Sequence, residues 1–541
     1  MKNFLNSFAG FLPLGILWLS PLAAGLVAVL YGALDEAAWL ALFGHPQLWP
    51  GLALSMGTGT LSLIISALLA FWIVAGLYGG KLWPGTSGLM GGFLSLPHLA
   101  FAIGLGFLIT PSGLLARVIG SVAAWAAPPQ WVTTQDPYGF SLVTVLVLKE
   151  VPFLIWLISA HLARPEVAQM LNGHFRVSQS LGHGGASVWL RVFIPQILPR
   201  LKWPLLIVWF YGASVVDVAL AIGPTQPPPL AVIIWSDLNN ADPAVNARGT
   251  AGALFLTAAL GCLVLLFMFL KRATLPSIWR FFTRGPSRRR TPRITSGALL
   301  LFFCAVYALV FAILCVMSIG TLWPYPDLFP SELRFSAWAQ FLMSPAPLLN
   351  SLSLAVASTL AALALAVFWL ETVPEKLDAV LLACGIAALA LPSLLIADGQ
   401  YLAFLRLGLN GTWLGVFLAH LTPVFAYVFI VLKGPYRAFD PRYRAVALGL
   451  NADNYRFWSV VKLAMMKPAL AAAAAVGIGV SIAQYVPTQL IASGRLTTLP
   501  IEAVTLASGG SRPLMAVFAL MLAVIPAFAF IIASRLGRKP L

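Results

Sequence analysis

The sequence predicts an all-α polytopic membrane protein of about 12 transmembrane helices, arranged as two parallel six-helix repeats. Three observations predict it. The composition is too apolar for a water-soluble core, solid apolar runs have spanning length, and several polar patterns recur in the same order in the second half.

Of 541 residues, 60% are hydrophobic and 9% charged, so the surplus apolar surface must face lipid. Only a helix or a closed barrel satisfies every backbone N–H and C=O in hydrocarbon. Barrel strands alternate with period two, whereas runs such as 352–370 and 514–533 are solid, which predicts helices. Cys262, Cys304, Cys315 and Cys384 all fall in apolar runs and offer neither a disulfide framework nor a zinc spacing. The N-terminus carries one Lys before the apolar run 14–34. That run exceeds a signal peptide's apolar core and is expected to be an uncleaved first span.

Twelve spans are expected near 14–34, 53–77, 90–110, 140–163, 201–223 and 250–270, then 296–319, 350–370, 379–405, 411–432, 469–492 and 514–534. Between the sets lie Lys271, Arg272, Arg280, Arg284, Arg288, Arg289, Arg290 and Arg293 without one acid. This places a first half at 1–270, a basic cytoplasmic linker at 271–295 and a second half at 296–541. With both termini and the linker inside, 26 of the 33 Lys and Arg fall on the cytoplasmic side, six outside, and Lys149 within a span, as the positive-inside rule requires. The 371–378 turn is a local exception, because Glu371, Glu375 and Asp378 outnumber Lys376. Topology and anionic headgroups account for the net charge of +16 without nucleic acid as a partner.

Repetition appears in four patterns. Leu96-Pro97 with Gly104 recurs as Leu391-Pro392 with Gly399, each pair opening a third span. Leu181-Gly182 recurs as Leu448-Gly449, and Ser214 with Asp217 recurs as Ser481 with Gln484, both 267 residues later. Phe71-Trp72 and Phe368-Trp369 likewise close the second spans. A shared order of matches indicates two copies.

The longest cytoplasmic loops within the halves, about 164–200 and 433–468, join spans four and five. In the first, Leu181-Gly182 is followed by Trp189, Val192, Pro195 and Pro199. This resembles the cytoplasmic signature of binding-protein-dependent ABC permeases, in which Glu-Ala-Ala precedes a Gly and a short helix leads to two prolines. The second copy has Leu448, Gly449, Trp458, Val461 and Pro468, with an apparent two-residue insertion near 451–454 and Ala464 at the inner proline. Arg176 and Tyr443 stand where the signature opens with an acid.

The resemblance implies a type I ABC permease fold in which each loop is a rigid knob, turned at its glycine and stopped by its prolines, that docks in a groove of an ATP-hydrolysing subunit. It implies two ATPase copies and a periplasmic substrate-binding protein as partners, with ATP and Mg²⁺ held by the ATPase. This chain contains no Gly-x4-Gly-Lys-[Ser/Thr] loop, so no cofactor and no catalysis are expected in it. The fused form resembles the thiamine and ferric-iron branches of the family. The expected location is the bacterial inner membrane.

Polar residues within spans point to the path, because each is costly in lipid unless it faces protein or water. Ser214, Asp217, Ser481 and Gln484 on the fifth spans, and Asp398 on the ninth, are the candidates; an interhelical hydrogen bond is the alternative for Asp217 and Gln484. Adjacent Lys149 and Glu150 are expected to pair with other spans or with each other, and His98 to be a polar helix-start residue, since no second metal ligand accompanies it. A major-facilitator-like carrier would also show twelve spans, but with a basic turn between spans two and three. Here 78–89 has only Lys81.

Overall fold

A computed structural model describes residues 12–283 and 293–537. Arg284, Arg288, Arg289 and Arg290 of the linker lie outside the described residues. The first half runs α1 (Leu12–Gly32), α2 (Leu48–Leu77), α3 (Trp83–Leu94), α4 (His98–Ile109), α5 (Leu114–Ala123), α6 (Phe140–Leu162), α7 (Pro165–Ser180), α8 (Lys202–Ser214), α9 (Asp217–Ile222) and α10 (Pro243–Thr283). The second runs α11 (Arg293–Ile319), a small hairpin of β1 (Gly320–Leu322) and β2 (Glu332–Leu333), α12 (Ala346–Thr372), α13 (Asp378–Ala390), α14 (Ser393–Arg406), α15 (Trp413–Arg437), α16 (Arg442–Gly449), α17 (Leu463–Ile482), α18 (Val486–Ala492) and α19 (Arg512–Gly537). The protein is an all-α polytopic membrane protein with a fused two-repeat layout.

Ten helical stretches among the described residues are long and apolar enough to cross a bilayer, and an eleventh is the bent pair α13–α14. The fifth expected span, 201–223, is where expectation and structure part. Its helix α8 ends at Ser214, Val215 is extended, and α9 restarts at Asp217. The Leu-Pro pairs differ in effect: Pro97 stands between α3 and α4 and opens the spanning stretch His98–Ala123, as expected, whereas Leu391-Pro392 breaks its span, α13 and α14 meeting there with a 99° bend. A proline lacks the N–H that would continue the helix and forces the preceding residue out of the α region. The sixth span is also longer than expected. At 41 residues α10 extends about 60 Å, so the Lys271–Arg280 part of the linker prolongs the span as a helix.

The two halves exchange their first helices. Trp18 on α1 is fully buried and its Nε1 donates to the Thr422 carbonyl on α15 at 2.9 Å. Tyr307 on α11 donates through its hydroxyl to the Leu148 carbonyl on α6 at 3.1 Å. Each exchanged helix runs along the third span of the other half, against α4 or α14, and the repeated glycines lie at those contacts. A Cβ on Gly399 would collide with the Gly25 carbonyl of α1, and one on Gly104 would meet Val310 Cγ1 of α11 at 2.7 Å. The glycines of the Leu-Pro-x6-Gly pattern therefore let two backbones approach, as small residues do in membrane bundles.

Candidate functional site

Both 4–5 loops are built as a helix, a left-handed turn and a second helix. After α7, Gly182 takes φ +83°, its N–H donates to Gln179 at 2.9 Å, and His183 N–H donates to Ser178 at 3.0 Å. This is a Schellman cap, in which a left-handed residue closes the last helical carbonyls. After α16, the same two bonds run from Asn451 to Leu448 and from Ala452 to Ala447, both 3.0 Å, and Asn451 takes φ +61°. Asn451, not Gly449, is thus the counterpart of Gly182, and Leu450 that of Leu181. Gly449 remains in the helix.

This register removes the insertion expected near 451–454. Trp189, Val192 and Pro199 lie 7, 10 and 17 residues beyond Gly182, and Trp458, Val461 and Pro468 lie at the same distances beyond Asn451. The helix breaks of the fifth spans follow the same offset, with Val216 and Tyr485 as matching residues just before α9 and α18. Ser214 and Asp217 consequently correspond to Ala483 and Val486, two residues away from Ser481 and Gln484. The prolines also behave differently from expectation. Pro195 and Pro199 lie within a helical run that passes from Gly185 into α8 through a π turn, Trp189–Phe193, and a 3-10 turn, Leu198–Leu201. Pro468 lies inside α17. Local changes of hydrogen-bond register absorb the missing donors, so the prolines irregularise the second helix without stopping it.

The aromatic residue after each turn is anchored to its own half. Trp189 is buried and packs edge-on against Tyr78, beyond the end of α2, with centroids 5.6 Å apart. Trp458 donates through Nε1 to Glu371 Oε1 at 3.1 Å, and the same carboxylate accepts from Lys462 Nζ at 2.6 Å and from the Tyr436 hydroxyl. Next to it, Arg437 grips Asp378 through Nε at 2.8 Å and Nη2 at 2.9 Å, and donates to the carbonyls of Leu370 and Val373. The acidic 371–378 turn thus has paired charges, which is why a local excess of acid is tolerated there. Leu181 and Leu448 are exposed, as is Pro199, while Val192 and Pro195 are half-buried.

Within the bundle, the break at Pro97 gathers polar groups. Lys149 is buried and donates to the carbonyls of Phe93 at 3.0 Å and Leu96 at 2.5 Å, at the break that follows α3. Glu150 accepts from His98, the first residue of α4, at 3.1 Å between Oε1 and Nε2. A cation thus meets the C-terminal carbonyls of α3, the polarity a helix dipole favours. His98 also packs on Tyr211, with centroids 4.8 Å apart. Asp217, half-buried, is in electrostatic reach of His98 and of Tyr485 from the second half.

The other candidates separate from this cluster. Ser214 donates to the Phe210 carbonyl of its own helix at 2.7 Å. Ser481 lies 2.8 Å from His420 Nδ1, Thr488 lies 2.8 Å from His420 Nε2, and Gln484 donates to the His420 carbonyl at 3.2 Å. That network ties α15, α17 and α18 together inside the second half. Asp398 is buried at the α1–α14 side near Thr250, with no hydrogen bond meeting normal geometry at either oxygen.

Sequence reading missed the roles of Asn451, Glu371, Tyr436 and Lys462. An Asn seven residues before a Trp was a usable signal for the first, since Asn is the usual substitute for Gly in a left-handed cap. No protein-family model matches the chain. It is similar to the inner membrane ABC transporter permease protein YnjC of Escherichia coli (strain K12), with 29% identity over 519 residues, 96% of this chain and 94% of that protein.

Proposed function

We propose that this chain, similar over 96% of its length to an inner membrane ABC transporter permease protein, is a multi-pass inner membrane permease subunit that forms the translocation path of an importer and couples it to a separate ATPase through the two 4–5 loops. Two ATPase copies would each receive one loop, and a periplasmic binding protein would deliver substrate at the opposite end. In this reading both termini and the linker are cytoplasmic, the halves are 1–270 and 296–541, and ATP and Mg²⁺ stay with the ATPase. The thiamine and ferric-iron likeness rests on the fused layout alone and assigns no cargo.

The observation that carries the proposal is that one helix–turn–helix is built twice with the same 7, 10 and 17 spacing, by residues as different as Gly182 and Asn451. A loop that merely joined two spans would not need a common register. Each turn is fixed to its own half by a tryptophan, so force applied there reaches the bundle through packed contacts rather than through a slack chain.

The test is co-expression with candidate ATPases and measurement of complex recovery for Gly182→Asp and Asn451→Asp. Each variant adds a charge where the turn would pack. Loss of ATPase with an intact bundle is the expected result. Full recovery and normal binding-protein-stimulated turnover in both variants would reduce the loops to connectors. Asp217→Ala tests the path, with lowered uptake at matched membrane abundance expected. Unchanged uptake would leave Asp217 a structural residue.

A further inference from the structure

At the end of the bundle opposite the 4–5 loops, the tips of α4, α11 and α19 and the start of α5 enclose a cavity of about 220 Å³. Its polar wall holds two arginines, and no carboxylate lines it. Arg117 is buried and fixed by carbonyls alone: Nε donates to Ser112 at 2.9 Å, Nη1 to Pro324 at 2.6 Å and Asp327 at 2.9 Å, and Nη2 to Trp323 at 2.9 Å. Its guanidinium also lies over the Trp323 ring, 4.9 Å from the centroid. Arg512 is exposed and makes one long bond, from Nη1 to Ser112 Oγ at 3.3 Å. Neither arginine is in an ion pair among the described residues. Two cations therefore converge on this space; the nearest carboxylate, Asp327, is in electrostatic reach of Arg117 but does not line the cavity.

We propose that this cavity binds the phosphate group of a phospholipid headgroup. The phosphate supplies the missing charge, and Arg512 has free donors to meet it. Phe107, Leu114 and Met317 form an apolar floor suited to the glycerol end of a lipid. The surroundings favour a lipid over a free ion. On α5, Arg117 lies on the buried face, while Leu115, Val118, Ile119 and Val122 form an exposed apolar stripe. Phe329, Leu333 and Phe335 beside the hairpin are exposed too. Basic pockets between spanning helices, rimmed by aromatic residues at the interface, hold headgroups by this combination of charge and apolar contact.

The experiment uses the delipidated full chain in detergent and counts bound molecules by native mass spectrometry. Phosphatidylglycerol, a diacylglycerol with the same tails, and inorganic phosphate are titrated separately. Wild type is expected to retain one phosphatidylglycerol that diacylglycerol does not replace. Arg512→Gln should weaken it about fivefold, as loss of one basic group at a headgroup does, and Arg512→Lys should restore most of it. Because Arg512 is exposed, the lipid-free melting temperature serves as the folding control and should not move. Equal binding by Arg512→Gln, or equal binding of diacylglycerol, would overturn the site. Arg512-dependent binding of inorganic phosphate as tight as that of the lipid would overturn the headgroup as its source.

Discussion

Replacing Gly182 by Asn, Ala and Val should produce a graded loss of the first 4–5 turn. At φ +83° a Cβ costs about 1 kcal/mol or more, least for Asn and most for a β-branched side chain. The turn can escape that strain only by giving up its two cap hydrogen bonds, which together contribute about 2 kcal/mol. Gly182→Asn should behave nearly as wild type, because the second turn already uses Asn451 at φ +61°. Gly182→Ala should leave the turn largely closed, whereas Gly182→Val, with strain of about 2 kcal/mol matching the bonds, should leave it open about half the time. Hydrogen exchange of the His183 amide in the purified chain reads the turn directly, and recovery of the ATPase reads its consequence. If the Asn variant exchanges as fast as the Val variant, or if the Val variant exchanges as slowly as wild type, the equivalence of Gly182 and Asn451 is wrong.

Three further outcomes follow from the geometry. Gly399→Ala should lower the melting temperature more than Gly104→Ala, since the first meets the Gly25 backbone and the second meets a side-chain methyl of Val310 that can move; overpacking of this kind costs about 1–3 kcal/mol, and equal shifts would contradict the close approach. Glu371→Gln should release Lys462 and weaken the hold on Trp458, raising exchange across 454–462 while leaving the first loop unchanged; exchange identical to wild type would show that the tryptophan is held by packing alone. Asp136→Ala should destabilise by about 1 kcal/mol, the usual worth of a capping side chain. Burial works against the Asp136 charge, but hydrogen bonds from Ser141 Oγ and from the Ser141 and Phe140 amides outweigh it and hold the carboxyl below its ordinary value. A depressed folded pKa stabilises above the unfolded value of about 3.9 and is lost as pH falls through the folded one, so melts at pH 7 should separate wild type from variant and melts near pH 2 should not.

The spans were legible because lipid imposes one rule on every residue of a crossing helix, and solid apolar runs such as 352–370 can satisfy it in only one way. The breaks were half legible. Pro97 and Pro392 are visible as a repeat, and Pro97 does open a span, but a hydropathy run does not register a bend, so the break at Pro392 in the middle of its span is not legible. The fifth-span break at Val215 carries no proline at all. The register of the second loop is not legible from its glycine, because asparagine can also turn a helix end. Asn451 does the same work, and aligning on it would have brought Trp458, Val461 and Pro468 into step. Glu371 was noticed as a charge in the wrong place, and only the fold shows Lys462 and Tyr436 arriving from 65 to 91 residues away to meet it.

The exchange of α1 and α11 means that the order of the chain and the division of the machine are two different partitions. Trp18 travels with the second half and Tyr307 with the first, so a rocking motion would separate α1 from α2 and α11 from α12, its own neighbours in sequence. The segments 33–47 and 320–345 then become the straps that cross between moving bodies. A gene cut at the linker would yield two fragments, each with a first helix lacking its groove and a groove lacking its helix. Neither fragment would be a finished half, and only their co-synthesis would restore the clasp.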